Sequence, residues 1–159
     1  MPKENKTDWD RRFLELAKYI STWSKDNSTK IGTVIVGPDN EIRSTGYNGL
    51  PRGMNDDIPE RNTRPLKYRW YEHGERNAIY NAARCGISLK GCRIYLLSLS
   101  CADCARAIIQ AGISEVITTP PEFDNPRWGD DLRIAMEMFN ETGIKVKIMD
   151  IFNEKTIKT

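Results

Sequence analysis

The chain has 159 residues, 39% of them apolar, and a formal net charge of +2 at pH 7. That is enough for one domain with its own core, and too little positive charge to announce nucleic-acid binding, which needs a concentrated basic face. No apolar run approaches the ~20 residues of a membrane span or a signal-peptide core, so a cytoplasmic protein is expected, with its four cysteines as thiols or metal ligands rather than a disulfide framework.

Residues 1–6 are charged and polar and read as a frayed start. Thr7 or Asp8 can cap a helix whose apolar positions Phe13, Leu16, Ala17 and Ile20 repeat at helical spacing. Lys30 to Val36 reads as a strand, Gly37-Pro38-Asp39-Asn40 as a turn, and Glu41 to Tyr47 as the antiparallel hairpin partner. From Asn48 to about Arg64, repeated Pro and Gly positions and many charges argue against regular structure, leaving a functional loop or partner surface. The basic run Arg61, Arg64, Lys67, Arg69 reads as a solvated face or a subunit contact. A helix then ends near Cys85-Gly86, Arg93 to Ser98 forms a third strand, and a second helix ends at Ala111-Gly112, with both glycines placed as C-terminal caps. Cys85 and Cys92 read as small buried or half-buried side chains. Glu115 to Thr119 is a fourth strand, Pro120 to Gly129 a loop, Asp130 to Thr142 a helix and Lys145 to Ile151 a fifth strand. Strand, helix, strand repeated twice makes parallel neighbours. The expected architecture is α/β: a three-layer domain with a five-stranded mixed sheet, helices on both faces, and strands 4 and 5 parallel.

Two short stretches carry chemistry. His73-Gly74-Glu75 precedes one helix, and Cys101-Ala102-Asp103-Cys104 opens the other. One histidine and two cysteines are donors that suit zinc, and three protein ligands leave a fourth tetrahedral position open, as in a catalytic site. Glu75, Ala78, Ile79 and Ala82 share a helical stripe, as do Cys101, Cys104, Ala105 and Ile108, so both halves face inward. A helix N-terminus favours anions, which helps to hold both thiols as thiolates. A lone C-x-x-C could be redox or half of a structural zinc site. His73 is the only histidine, which rules out a two-cysteine, two-histidine finger. Cys85 and Cys92 stand after a helix and before a strand, poorly placed to complete a four-cysteine site. H-x-E followed by C-x-x-C is the signature of zinc nucleobase deaminases, in which the glutamate carries protons and is not a ligand.

With these residues the chain resembles the cytidine deaminase-like zinc enzymes, and within them the deoxycytidylate (dCMP) deaminases of the regulated bacterial and viral type. The resemblance covers Asp8 to Met149 and rests on Trp23-Ser24-Lys25-Asp26, Gly46-Tyr47-Asn48-Gly49-Leu50-Pro51-Arg52-Gly53, His73 to Ile79, and Cys101 to Gly112. The Gly-Tyr-Asn-Gly segment favours dCMP over free cytidine, tRNA adenosine or guanine. The resemblance implies hydrolysis of dCMP to dUMP and ammonia, supplying dUMP for thymidylate synthesis, with one zinc per subunit on His73, Cys101 and Cys104 and with Glu75 as proton carrier. It further implies that the amide of Gly74 bonds the base O2, that the carbonyl of Ser100 accepts from the leaving amine, and that Asn48 bonds the sugar 3′-hydroxyl; Asn48 also suits a plain turn. Gly74 and Ser100 stand where the family usually has alanine and proline, which implies a less rigid pocket.

Ser24, Lys25 and Lys30 are candidates for the 5′-phosphate, or a solvated helix end. Phe123 or Trp128 could cover the base, or serve as ordinary packing. Similar enzymes are homohexamers activated by dCTP and inhibited by dTTP, with Mg2+ on the triphosphate. Their effector site maps here onto Asn27, Tyr47, Gly49, Arg52 and Arg84; loop structure for the first four and a helix-end charge for Arg84 are the simpler readings. Two other functions stay open: deamination of another cytosine nucleoside, nucleotide or base, and a zinc-stabilised nucleotide sensor without chemistry.

Overall fold

A computed structural model describes residues 8–153. The frayed start expected at residues 1–6, and Thr7 as an alternative cap, lie outside them. Asp8 caps the first helix, its carboxylate accepting the Arg11 amide at 3.0 Å.

Five strands form one sheet: β1 (Gly32–Val36), β2 (Ile42–Tyr47), β3 (Arg93–Leu96), β4 (Glu115–Thr118) and β5 (Lys145–Ile148), in the order β2-β1-β3-β4-β5. The tight turn after β1, closed by the Gly37 amide on the Glu41 carbonyl at 2.8 Å, makes β1 and β2 antiparallel. β1 also runs antiparallel to β3. The chain returns through a helix between β3 and β4 and again between β4 and β5, and both pairs are parallel, as such crossovers require. The strands are shorter than their sequence pattern suggests. β1 starts at Gly32 rather than Lys30 because the Ile31 amide is spent on the Asn48 side chain at 2.8 Å.

The helices are α1 (Trp9–Ser21), α2 (Lys67–Trp70), α3 (Gly74–Cys85), α4 (Ala102–Gln110) and α5 (Gly129–Glu141). Alternation along the strands divides the core in two. Val34, Val36, Tyr95 and Ile117 meet Phe13, Leu14, Ala17 and Ile20 of α1. Ile35, Ile94, Leu96 and Val116 meet Ala78 and Ala82 of α3, Ala105 and Ile108 of α4, and Ala135 and Phe139 of α5. Two glycines let the outer layers sit on the hairpin. A Cβ at Gly32 would overlap the Ala17 carbonyl of α1, and one at Gly46 would overlap the Gly74 carbonyl and Ala78 amide of α3.

Three sequence expectations need correction here. The Asn48–Arg64 stretch is not wholly irregular: Pro59–Asn62 makes a 3-10 turn, held by the Asn62 side-chain Nδ2 donating to the carbonyls of Asp56 (2.8 Å) and Ile58 (3.2 Å). Cys85 is exposed at the end of α3, while Cys92 is buried as expected. The basic run is not one solvated face, since Lys67 is buried. No helix among the described residues is long and apolar enough to cross a membrane.

Candidate active site

α3 and α4 begin at the same place. His73 and Cys101 are the residues immediately before them, both extended, with φ/ψ of −76°/152° and −67°/169°. Cys104 lies in the first turn of α4. His73 Nδ1 is 3.4 Å from Cys101 Sγ and 3.5 Å from Cys104 Sγ. A tetrahedral zinc with the usual Zn–N and Zn–S lengths requires about 3.6 Å between its nitrogen and sulfur ligands. The donor set is therefore already spaced for such an ion, and the three ligand atoms lie within 4.8 Å of one another.

The side-chain charges suit a cation. The Cys101 thiol is pushed down to about 4 by the neighbouring Cys104 thiol and by His73, against the opposing effect of burial. The Cys104 thiol moves up because Cys101 and burial disfavour a second negative charge. A first thiolate thus disfavours a second, and a divalent cation held between them would favour ionising both. Glu75 is 6% exposed, and burial raises its pKa while the His73 charge opposes that rise. A carboxyl that readily carries a proton stands beside the donor set.

His73, Glu75 and Cys101 line a cavity of about 550 Å³. Its lining also includes Ile31, Asn48, Tyr71 and Trp128, together with Arg64, Lys67, Tyr68 and Arg127. Trp128 meets the His73 ring edge to face at a centroid distance of 6.1 Å. Of the two aromatic candidates for covering the base, Trp128 is in the cavity. Phe123 packs against the core and lines a separate shallow hollow.

Asn48 is in the wall, held on three sides. Its Oδ1 accepts the Ile31 amide, and its Nδ2 donates to the Thr29 carbonyl at 2.8 Å and to Asp26 at 3.3 Å. Both donors are used, so a ligand hydroxyl could only donate to the second lone pair of Oδ1.

Ser24, Lys25 and Lys30 do not line the cavity. The Ser24 hydroxyl is buried, donating to the Asn48 carbonyl at 2.8 Å and accepting the Asp26 amide at 3.2 Å. Lys25 is exposed and paired with Asp56. These two residues support the loop that carries Asn48 and are not placed to meet a ligand in the cavity.

Gly74 and Ser100 are buried just behind the metal ligands. A methyl at Gly74 would stand 3.2 Å from Ile31 Cγ2 and 3.3 Å from Thr33 Oγ1. Those neighbours would have to give by a few tenths of an ångström to admit the methyl of the family's usual alanine. The Ser100 hydroxyl has no hydrogen-bond partner among the described residues.

Of the residues mapped to an effector, Tyr47, Arg52 and Arg84 share one side of α3. Arg52 donates to Asn81 at 2.5 Å, and the Tyr47 carbonyl accepts from Asn77 at 2.8 Å. Asn77, Asn81 and Arg84 follow at i, i+4 and i+7, a single helical stripe. Gly49 bridges to Glu72 at the stripe's start, and Asn27 is exposed in the loop after α1.

Lys67 was missed as a site residue. Its ammonium contacts both oxygens of Asp26, at 2.8 and 3.0 Å, and the Ser28 hydroxyl, and each side chain of the pair is 5% exposed. Asp26 in turn accepts the amides of Ser28 and Thr29. Burial alone would raise the Asp26 pKa, but Lys67, then Ser28 and Thr29, hold it below the ordinary carboxylate value. No spacing rule pairs residues 26 and 67, and a lysine beside three arginines carries no sign of burial.

Comparison with known proteins agrees with this geometry. Residues 7–119 match the family model "Cytidine and deoxycytidylate deaminase zinc-binding region". The chain is 39% identical over 139 residues to an uncharacterized deaminase encoded in the luxG 3′ region of Aliivibrio fischeri, covering 87% of this chain and 91% of that protein. It is 35% identical over 147 residues to human deoxycytidylate deaminase, covering 89% and 80%. The fold is shared with dCMP deaminase of cyanophage S-TIM5 in complex with dCMP and dUMP: TM-score 0.72, 24% identity, 91% of this chain and 98% of that one. With its histidine and two cysteines gathered at the start of two helices beside a buried glutamate, the chain belongs to the cytidine and deoxycytidylate deaminase family of zinc-dependent deaminases.

Proposed function

We propose that the chain hydrolyses dCMP to dUMP and ammonia, and the observation that carries the reading is a buried carboxyl, Glu75, in one cavity with His73 and Cys101 of a zinc-spaced donor set. Relatives that are deoxycytidylate deaminases, and a fold neighbour solved with dCMP and dUMP, support this substrate over other cytosine compounds. His73, Cys101 and Cys104 would hold zinc, which when bound would lower the pKa of a water there toward roughly 7. Glu75 takes a proton from that water on its carboxylate and delivers it to N3 of the cytosine. The water oxygen bonds to C4, and the hydrogen remaining on that oxygen passes through Glu75 to the amine, which leaves as ammonia as the C4–N4 bond breaks and C4=O forms. The Gly74 amide and Ser100 carbonyl orient the base, Trp128 flanks it, and the 3′-hydroxyl donates to Asn48.

The same reading makes the chain a single catalytic domain of a homohexamer in the cytoplasm, supplying dUMP for thymidylate synthesis. dCTP activates and dTTP inhibits, with Mg2+ on the triphosphate, at a site made by Asn27, Tyr47, Gly49, Arg52 and Arg84. The bond from Arg52 to Asn81 and that from Asn77 to the Tyr47 carbonyl, both on the α3 stripe that Arg84 continues, support this placement. Ammonia release from dCMP, cytidine and dCTP, each with and without dTTP and Mg2+, tests substrate and regulation together. Turnover of dCMP alone, suppressed by dTTP, is expected. Cytidine turned over as well as dCMP would overturn the substrate, and insensitivity to both triphosphates would overturn the regulation.

A further inference from the structure

Cys101 is an extended residue at the start of a helix, and the peptide that follows such a residue decides where its side chain points. That peptide is held at both edges. Its carbonyl accepts the Ala105 amide at 2.8 Å within the first turn of α4. Its N–H, on Ala102, donates at 2.6 Å to a side chain from a different helix, Asp131 of α5. The first amide of a helix has no acceptor within the helix itself, so the partner has to come from elsewhere. A peptide is planar, and one fixed at both N–H and C=O keeps the Cys101 ψ at its value of 169°. The same turn spends the Cys104 amide on Cys101 Sγ at 3.5 Å.

Asp131 is reserved for this bond. It holds no cation among the described residues, while its neighbour Asp130 pairs with Arg133 at 3.2 Å on the surface. Its carboxylate serves the positive ends of two helices: α4 through Ala102, and α5 because Asp131 lies in that helix's own first turn. The start of α5 also reaches the other half of the donor set, since Trp128, immediately before it, meets the His73 ring at 6.1 Å. That start is firmly built. The Asn125 side chain accepts the amides of Arg127 and Trp128 at 2.9 and 3.0 Å, and its carbonyl accepts the Gly129 amide at 2.8 Å. Gly129 lies so close to the Phe123 carbonyl that a Cβ would overlap it. Asp131 is not among the residues that line the cavity, so its influence runs through the metal ligands and not through a bound nucleotide.

We infer that Asp131 is a positioning residue of the metal centre: by holding the Ala102 amide it aims Cys101 Sγ at the point shared with His73 and Cys104, and so sets how tightly zinc is kept. The inference rests on the zinc reading of those three donors and adds to it a residue that neither motif contains. The two motifs supply the ligands, and the first turn of a later helix supplies the frame. Without Asp131 the Cys101–Ala102 peptide is free to rotate about ψ, and the sulfur leaves its 3.4 Å spacing to His73 Nδ1.

The test is the Zn2+ affinity of the full chain, by competition with a chromogenic chelator, for wild type, Asp131→Ala, Asp131→Asn and Asp130→Ala, with the melting temperature of each protein taken with and without Zn2+. Asp131→Ala should weaken zinc binding by about 10- to 100-fold, the usual effect of losing a group that orients a metal ligand. The rise in melting temperature on adding Zn2+ should shrink with it, because a ligand stabilises the folded state according to its affinity. Asp131→Asn keeps an uncharged oxygen for the Ala102 amide and should recover part of the affinity, which keeps the test decisive if the alanine variant folds poorly. Asp130→Ala removes the same charge from the same turn without touching α4, and should bind zinc as wild type does. If Asp131→Ala holds zinc as tightly as wild type, or melts lower by the same amount with and without Zn2+, Asp131 only fastens α5 to α4 and the inference is overturned. Equal weakening by Asp130→Ala would trace the effect to the charge of the turn and overturn it as well. A wild-type protein that takes up no zinc overturns the metal reading itself, before any variant is compared.

Discussion

Replacing Lys67 by methionine keeps a long side chain in place and removes only the ammonium. In the native protein that ammonium neutralises Asp26 with both groups 5% exposed. Stranding one partner of a buried pair costs about 3–5 kcal/mol, because the remaining charge has lost its counterion without regaining water. Asp26 keeps the Ser28 amide at 2.8 Å, the Ser28 hydroxyl at 2.9 Å and the Thr29 amide at 3.3 Å. Those bonds place the expected loss at the lower end, about 3 kcal/mol. Urea unfolding of Lys67→Met, Asp26→Asn and the double variant measures it. The double variant should lose less than the sum of the singles, since it leaves no charge uncompensated. The pH dependence has a definite sign. The folded Asp26 pKa is below the unfolded value of about 3.9. The pair's contribution is therefore present above that value and is lost as pH falls through the lowered folded pKa. Wild type and Lys67→Met should converge in stability only in acid, once pH has fallen below the lowered folded pKa of Asp26. KM should also rise, because Asp26 anchors Thr29 and Asn48 in the cavity wall. A loss under about 1 kcal/mol at pH 7, with parallel pH profiles, would show that the pair is solvent-screened like a surface bridge and refute the reasoning.

Glu75→Gln should retain zinc by metal analysis while turnover falls by about 10²- to 10⁴-fold, the usual share of a positioned proton carrier. Zinc lost along with activity would make Glu75 a ligand or a prop. Cys101→Ala and Cys104→Ala should lose metal and activity together. Gly46→Ala should lower the melting temperature with a cost of about 1–3 kcal/mol, because its methyl would overlap backbone atoms of α3 that no rotamer change can move; an unchanged melting temperature would mean α3 can shift freely. Ser100→Pro should keep kcat within about tenfold, 1.4 kcal/mol in the barrier, since the carbonyl is retained and the buried hydroxyl has no partner among the described residues. A fall of several orders in steady-state turnover would reveal a role for that hydroxyl.

The sequence by itself determined whatever depends on near neighbours. Helical spacing put Glu75 and the two cysteines on inward faces, where they are found buried. The glycines at 86 and 112 mark helix ends because both adopt positive φ, 68° and 79°, where other residues are strained. Alternating helices and strands required the parallel pairs β3–β4 and β4–β5. Only the tertiary structure decided which long-range partners meet. Lys67 and Arg64 look alike in a basic run, yet Lys67, at the start of α2, is paired with Asp26 of the loop after α1, while Arg64, ahead of the helix, holds no carboxylate among the described residues. Ser24 looks like a solvated hydroxyl, but it is buried beneath Asn48. Trp128 and Phe123 are equal candidates in sequence, and the start of α5 sends one to His73 and the other to the core. Local periodicity tells a side chain which way to point from its own element; what it then meets depends on where a residue dozens of positions away has been brought by the sheet.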